Sequence, residues 1–276
     1  MEPQDRYIEI NGLRLHYLQW GHEAMPTILL LHGLTSHARI WDDFAAAFSR
    51  SYRIIALDQR GHGESQWSEE MAYSIEDHFC DIAAFIESLD PDRLTILGHS
   101  MGGRNALFYA ACSPQRVERL ITVDARPGNN PVSSETLRCH LTRLPLDAAG
   151  FEEIAEVVRT LYPALDNDVI FHIIRHGYNR LANGRLVPKF DIRMGVPLER
   201  SGYAALDLWL YLEHICCPTL IIRGLDSTFL TPDDARRMCR LLPDARLEEI
   251  PQATHMPAQE NPSAFNRAVW DFLCNH

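Results

Sequence analysis

A serine between two glycines, in the sequence GHSMG at 98–102, has surroundings that favour nucleophilic chemistry. The segment joins an apolar run at 94–97 to a helix-forming segment at 105–111. A G-x-S-x-G turn between a strand and a helix holds its serine in a strained conformation at the carboxyl end of a sheet. Ser100 Oγ is then kept out of the core, at the positive end of the following helix. The alternative is a turn that only packs a helix against a strand, and the position of the motif favours the first interpretation.

Two other segments contain groups that would assist such a serine. The sequence LLHGL ends an earlier apolar run. The loop that follows this run can offer the backbone N–H of Leu34 to an oxyanion hole, and the N–H of Met101 would be the second donor. His255, in ATHMP after the last predicted strand, lies about where a general base must reach Ser100. The order of these motifs predicts one site assembled from several strand ends.

The elements that must position these residues alternate between strand and helix. An alternating segment at 6–21 contains Asn11-Gly12 and predicts an antiparallel hairpin. Apolar runs such as TILLL at 27–31 are typical of strands covered on both faces. Ser74 and Asp77 have the spacing of a capping box at the start of an amphipathic helix. We predict a mostly parallel sheet with helices on both of its faces.

The alternation breaks between Arg126 and His214. The sequence RPGNNPVSS is typical of a loop, and several helical segments follow it without a convincing buried strand. We therefore predict a core formed by 1–126 and 215–276, with an inserted helical cap at 127–214.

Composition argues against several kinds of partner. The chain has 276 residues, 46 % of them hydrophobic, and a formal net charge of −11. That charge disfavours a nucleic-acid partner and an anionic membrane surface, since both require basic protein surfaces. The sequence begins without a basic segment followed by an apolar one, so we expect no secretory signal. Every apolar run is far shorter than the roughly 20 residues that span a bilayer. We expect a small-molecule substrate; the sequence leaves the oligomeric state open.

Cysteines and histidines give no sign of a metal site. The seven cysteines include no CxxC pair, so we expect reduced, mostly buried thiols in a cytoplasmic protein. The 13 histidines are scattered, without H-E-x-x-H spacing. We expect neither a metal nor another cofactor.

The motifs and their order resemble the α/β-hydrolase superfamily, in its esterase-like group with a helical cap, over nearly the whole chain. The resemblance implies an eight-stranded, mostly parallel sheet. It implies Ser100 as the nucleophile, His255 as the base, and the N–H groups of Leu34 and Met101 as the oxyanion donors. A serine at this position argues against epoxide hydrolases and haloalkane dehalogenases, whose chemistry uses a carboxylate there.

Two carboxylates are candidates for the acid that orients the histidine. The superfamily usually places the acid three or four residues past a glycine after the penultimate strand. Here those residues are Ser227 and Thr228, and Asp226 stands one residue early. Asp124, in LITVDARP, ends the strand that follows the nucleophile helix and is the preferred candidate. Four segments (DQRGHGES, GHSMGGRN, VDARP and RGLDSTFL) resemble a narrower group, hydrolases that act on (acetamidomethylene)succinate in vitamin B6 degradation, which carry the acid after the sixth strand.

The resemblance implies a cofactor-free serine hydrolase that cleaves a carboxylic ester, an amide or a thioester through an acyl-enzyme. Two alternatives are a carbon–carbon bond hydrolase with the same triad and a non-catalytic receptor on the same fold. We also expect an anionic substrate held by arginine, because a guanidinium binds a carboxylate in a bidentate way. The candidates are Arg104, Arg126, Arg175 and Arg180.

Overall fold

The computed structural model describes residues 2–128, 139, 141–195 and 206–275. Eight strands form one sheet, in the spatial order β1-β2-β4-β3-β5-β6-β9-β10. These strands are β1 (Gln4–Ile10), β2 (Leu13–Trp20), β3 (Thr27–Leu31), β4 (Arg53–Leu57), β5 (Leu94–His99), β6 (Arg119–Val123), β9 (Thr219–Gly224) and β10 (Ala245–Ile250). The six strands from β4 to β10 in this order are parallel, whereas β1 and β2 pair antiparallel. The mostly parallel eight-stranded sheet of an α/β-hydrolase fold is confirmed.

The predicted hairpin joins the first two strands. Asn11 and Gly12 both have positive φ, 52° and 77°, between β1 and β2. Two consecutive positive φ angles give the turn a twist that matches the right-handed twist of the strands. The Asn-Gly pair therefore sets the register of the hairpin, in which Ile10 faces Leu13.

Helices cover both faces of the sheet. They are α1 (Asp42–Phe48), α2 (Ile75–Leu89), α3 (Met101–Cys112), α6 (Pro232–Leu241), α7 (Pro257–Glu260) and α8 (Pro262–Asn275). Helices α1 and α8 pack on one face through Phe44 and Phe265, and α2, α3 and α6 pack on the other face. The capping box of α2 is formed by Ser74 and Asp77, as predicted.

The chain between β6 and β9 contains elements that lie outside the main sheet. They are α4 (Phe151–Leu161), α5 (Asn167–Gly177) and a hairpin of β7 (Tyr178–Arg180) and β8 (Leu186–Pro188). A separate apolar cluster joins α4 to α5 and includes Met256 from the core. The hairpin was not predicted, because strands of three residues are too short to show a period. Residues 129–138, 140 and 196–205 of the predicted cap lie outside the described residues, and the division into core and cap stays a prediction.

The cysteines differ from expectation. All seven are free, but only Cys217 is buried, and four are exposed. Cys112 and Cys274 lie at the ends of α3 and α8, where the helices reach the surface, so the prediction of mostly buried thiols is wrong. No helix among the described residues is long and apolar enough to cross a membrane.

Candidate active site

Ser100 stands in a sharp turn between β5 and α3. Its φ is 51° and its ψ is −112°, an unusual conformation for a residue other than glycine. A Cβ at Gly98 would lie 2.3 Å from the carbonyl oxygen of Gly102, and a Cβ at Gly102 would lie 2.3 Å from the carbonyl oxygen of Leu31. Only glycine fits at these two positions, so the close packing of α3 against β3 and β5 requires both residues of the motif.

The side chains of Ser100, His255 and Asp124 form one line of hydrogen bonds. His255 Nε2 lies 3.0 Å from Ser100 Oγ. His255 Nδ1 lies 2.7 Å from Asp124 Oδ2, and since a carboxylate only accepts, Nδ1 carries the proton. Nε2 of the neutral ring is then the acceptor for the serine hydroxyl. The arrangement has the geometry in which a histidine can take the proton of an attacking serine.

Asp124 is completely buried, directly after β6. Its φ is 44°, which turns the side chain out of the strand direction toward His255. Asp124 Oδ2 also accepts a hydrogen bond of 2.6 Å from Ser227 Oγ. The rival acid Asp226 is exposed, and its described contact is the backbone N–H that it donates to the carbonyl of Ala253. The structure therefore brings Asp124, and not Asp226, to the histidine.

The loop that carries His255 is held by Glu260. One carboxylate oxygen of Glu260 accepts the backbone N–H groups of Thr254 (2.6 Å) and Met256 (3.1 Å), and the other accepts the hydroxyl of Thr254 (2.6 Å). The ring of Phe229 stacks on the imidazole of His255 with a centroid separation of 4.0 Å. Glu260 thus fixes the residues on both sides of His255, while Phe229 fixes the plane of its ring.

The loop predicted to form the oxyanion hole is held by two buried histidines. His32 Nδ1 donates to the carbonyl of Gly33 (2.8 Å), and Nε2 of His62 accepts the N–H of Thr35 (3.2 Å). Burial lowers the pKa of His32 to about 3 and the pKa of His62 to about 4, so both rings are neutral at pH 7. Leu34 lines the pocket beside Ser100. Met101 is the first residue of α3; the donor roles of Leu34 and Met101 stay predictions.

A pocket that is partly open to solvent lies above Ser100 and His255. Its walls come from the core loops after β3 and β9, from α4 and α5, and from the chain before α4. Aliphatic and aromatic side chains dominate this lining, including Val158, Ile173 and Phe190.

The four arginines proposed to hold an anionic substrate do not line the described part of the pocket, and the anionic character of the substrate stays a prediction. Arg104 donates to the backbone carbonyls of Arg126, Pro127 and Leu206, so its guanidinium holds loops together. Arg126 pairs with Asp234 at 2.6 Å. Arg175 and Arg180 are exposed, and none of the four lines the pocket. Residues that follow a motif in sequence need not face the same cavity, because α3 and the loop after β6 turn these side chains away.

Sequence reasoning missed three residues that contact the triad, namely Ser227, Phe229 and His99. It also missed Glu260, which holds the residues on both sides of His255. Ser227 occupies a position at which the superfamily carries its acid, and that coincidence was the available signal for a contact with Asp124. His99 Nε2 donates to the backbone carbonyl of His255 (2.7 Å), and burial lowers its pKa to about 3. No spacing rule pairs His99 with His255, because the contact forms only when the end of β5 and the loop after β10 lie side by side.

Comparison with known proteins matches the fold described above. The model of a family described as the alpha/beta hydrolase fold matches residues 26–262. The chain is 28 % identical to 2-(acetamidomethylene)succinate hydrolase of Mesorhizobium japonicum, over 97 % of this chain and 94 % of that protein. It is 27 % identical to epoxide hydrolase 4 of Homo sapiens, over 96 % of this chain and 77 % of that protein.

A solved structure extends the likeness to three dimensions. The crystal structure of E-2-(acetamidomethylene)succinate hydrolase superposes with a TM-score of 0.91 and 25 % sequence identity, covering 99 % of this chain and all of that one. The two chains therefore share one fold over nearly their full length.

Proposed function

The chain belongs to the alpha/beta hydrolase fold family, and on that premise we propose that it is a serine hydrolase acting on a carboxylic ester of a small molecule. Its relatives named above are hydrolases. The observation that carries the proposal is the line of hydrogen bonds from Ser100 Oγ through His255 to Asp124. A serine at the turn, where a carboxylate would stand in epoxide hydrolases, supports an acyl-enzyme route rather than attack by a carboxylate.

The reaction begins with attack of Ser100 Oγ on the ester carbonyl. His255 Nε2 takes the serine proton as the C–O bond forms, and the ring becomes a cation. The carbonyl oxygen becomes an oxyanion, which the N–H groups of Leu34 and Met101 stabilise. His255 then returns its proton to the leaving alcohol, whose departure leaves the acyl group on Ser100. Water attacks the acyl-enzyme with His255 again as the base. The bond from the acyl carbon to Ser100 Oγ then breaks, His255 returns the proton to Oγ, and the acid product is released.

Asp124 acts on the histidine rather than on the substrate. Its buried carboxylate accepts the proton on Nδ1, which fixes the tautomer with a lone pair on Nε2. The same carboxylate stabilises the imidazolium that forms during attack. Ser227 donates a second hydrogen bond to Oδ2, so the carboxylate is held in one orientation.

Covalent labelling tests the proposal. A fluorophosphonate should react with the native protein and add its phosphonyl group to the peptide that contains Ser100. The variant Ser100→Ala should remain unlabelled. A folded protein that is not labelled, or that is labelled on a different serine, would contradict the proposal and would favour a receptor on the same fold.

Carbon–carbon bond hydrolysis is the second candidate, because it uses the same three residues. The two reactions separate by substrate. Turnover of p-nitrophenyl esters without turnover of ring-fission dienones supports the ester hydrolase, and the reverse result supports the alternative.

A further inference from the structure

The direction of the Leu34 N–H is set by the peptide group that it shares with the carbonyl of Gly33. A peptide group is planar and trans, so its N–H and its C=O point in opposite directions. The carbonyl of Gly33 accepts hydrogen bonds from His32 Nδ1 (2.8 Å) and from the N–H of Ser36 (3.2 Å). These two bonds fix the peptide plane, and with it the direction of the N–H that is predicted to face the oxyanion.

The same turn contains a strained residue. Thr35 has a φ of 64°, which is rare for a β-branched side chain, and its N–H donates to Nε2 of the buried His62 (3.2 Å). A strained backbone persists only where its surroundings hold it in place. The shape of the turn therefore depends on the buried side chains that bind it.

Gln59 holds His32 at two points. It follows β4 and is 1 % exposed. Its backbone N–H donates to His32 Nε2 (3.0 Å), so the ring proton is on Nδ1, where it is donated to the carbonyl of Gly33. Its side-chain Nε2 donates to the backbone carbonyl of His32 (2.7 Å). The ring and the backbone of His32 are thus both tied to Gln59.

The other end of the Gln59 amide binds the helix that follows the nucleophile. Its Oε1 accepts a hydrogen bond of 2.7 Å from Nδ2 of the buried Asn105, which lies one turn after Met101 in α3. The carbonyl of His32 also accepts the N–H of Gly102 (3.1 Å). The two predicted oxyanion donors stand on separate segments, the loop after β3 and the start of α3. One amide, which both donates and accepts, joins these segments.

We propose that Gln59 is a positioning residue of the oxyanion hole. The proposal rests on the proposed acyl-enzyme function, since it concerns the oxyanion formed when Ser100 attacks. Backbone donors stabilise an oxyanion when they lie ~2.7–3.1 Å from the place where that oxygen develops, so the spacing between the Leu34 and Met101 N–H groups must be held. Loss of the bridge weakens stabilisation of the transition state and leaves binding of the ester nearly unchanged.

Gln59→Met tests the proposal, because methionine has a similar length but cannot form the bridge. Its kcat for p-nitrophenyl 6-methylheptanoate should fall at least ~10-fold, while KM stays within about threefold of the native value. Gln19→Met is the matched control. Gln19 is also a buried glutamine, and its Oε1 accepts a hydrogen bond of 3.0 Å from Arg53, at the end of β4 that is remote from the site. The kcat of this control should stay within about twofold of the native value.

A trifluoromethyl ketone probes the oxyanion hole itself. Ser100 Oγ adds to the ketone carbon, His255 takes the serine proton, and the ketone oxygen becomes an oxyanion like that of the ester intermediate. The ketone with the 6-methylheptanoyl chain is titrated for protection of Ser100 from a fluorophosphonate, which gives its inhibition constant without turnover. This constant should rise at least ~10-fold in Gln59→Met, in step with the fall in kcat/KM, and should not change in Gln19→Met.

The outcomes separate the role of Gln59 from the proposed function. A native inhibition constant in folded Gln59→Met overturns the proposal, and so does a fall in kcat without a rise in this constant. If Gln59→Met does not fold, Gln59→Asn takes its place under the same criteria, because its amide is one methylene too short to reach both His32 and Asn105. If neither variant folds, Gln59 serves the fold and the proposal is wrong. In all these cases the native protein is still labelled on Ser100 and the serine hydrolase stands. If native Ser100 is not labelled, the proposed function fails and the role of Gln59 fails with it.

Discussion

Replacing Asp124 by asparagine should remove catalysis while leaving the fold intact. Asp124 is fully buried, and its described side-chain hydrogen bonds, from His255 and Ser227, both converge on Oδ2. An asparagine has nearly the same shape, so packing is kept. If its amide oxygen faces His255, both hydrogen bonds persist, but the charge that stabilises the imidazolium is lost. If its amide nitrogen faces His255, the ring must adopt the other tautomer, and Nε2 can no longer accept the serine proton.

Either orientation costs several powers of ten in rate. Loss of the triad acid in a related arrangement costs ~10⁴ in kcat, and we expect a decrease of at least ~10³, which corresponds to about 4 kcal/mol in activation free energy. Asp226→Asn is the matched control, because Asp226 is exposed and its described contact is made by the backbone. Its kcat should fall by at most about tenfold.

The assay measures kcat with a p-nitrophenyl ester for Asp124→Asn, Asp226→Asn and Ser100→Ala. Melting temperatures are measured in parallel, so that unfolding is not counted as lost chemistry. The reasoning is refuted if Asp226→Asn falls to the rate of Ser100→Ala while Asp124→Asn keeps most of its activity. If both variants fall together, neither carboxylate acts as the sole acid.

Three further predictions follow from the packing around the site. Glu260→Gln keeps the side-chain shape but removes a carboxylate that accepts three hydrogen bonds beside His255. Its kcat should fall about tenfold with KM nearly unchanged. An unchanged kcat would contradict the positioning role of Glu260. Gly102→Ala places a Cβ 2.3 Å from a carbonyl oxygen, so the free energy of unfolding of this variant, measured in urea, should be lower by more than ~3 kcal/mol. Gly150→Ala is the control, because its Cβ would enter open space, and it should change the free energy of unfolding by less than ~1 kcal/mol. In the folded protein His32 and His99 have pKa values of about 3, against an ordinary value of 6.5 for histidine. Below pH 6.5 these two rings therefore bind protons in the unfolded chain but stay neutral in the folded chain. Each of these two histidines should lower the free energy of unfolding by about 1.4 kcal/mol per pH unit as the pH falls from 6.5 toward 4. Equal free energies of unfolding, measured in urea at pH 7 and at pH 5, would contradict this prediction.

Much of the fold was accessible from the sequence, because its signals are local. The continuous apolar runs identify buried parallel strands, and the Asn11-Gly12 pair identifies the hairpin. The G-x-S-x-G motif by itself predicts a sharp turn, since the positions of Gly98 and Gly102 leave no room for a side chain. Strand order then places the ends of β5 and β6 side by side, so that Ser100 and Asp124 lie at one edge of the sheet.

The contacts that surround the triad were less accessible. Glu260, at the end of α7, holds the two neighbours of His255, and Phe229 stacks on the ring of His255 from the turn after β9. Both placements depend on how α7 and that turn pack. The four arginines were assigned by their distance in sequence from a motif, whereas the direction of a side chain depends on helix rotation and loop path. Arg104 illustrates the difference: it starts in the nucleophile helix and ends on the carbonyls of two other loops.

The central claim is that Ser100 carries the acyl group of the substrate during turnover, and rapid-quench mass spectrometry tests it most directly. The protein is mixed with excess p-nitrophenyl 6-methylheptanoate, quenched in acid within the first turnovers, and digested. We predict that the peptide containing Ser100 gains the mass of the acyl group, that this adduct decays as the ester is exhausted, and that it is absent in Ser100→Ala. Release of p-nitrophenol by the native protein with no acyl adduct on Ser100, or with the adduct on another residue, would contradict the account.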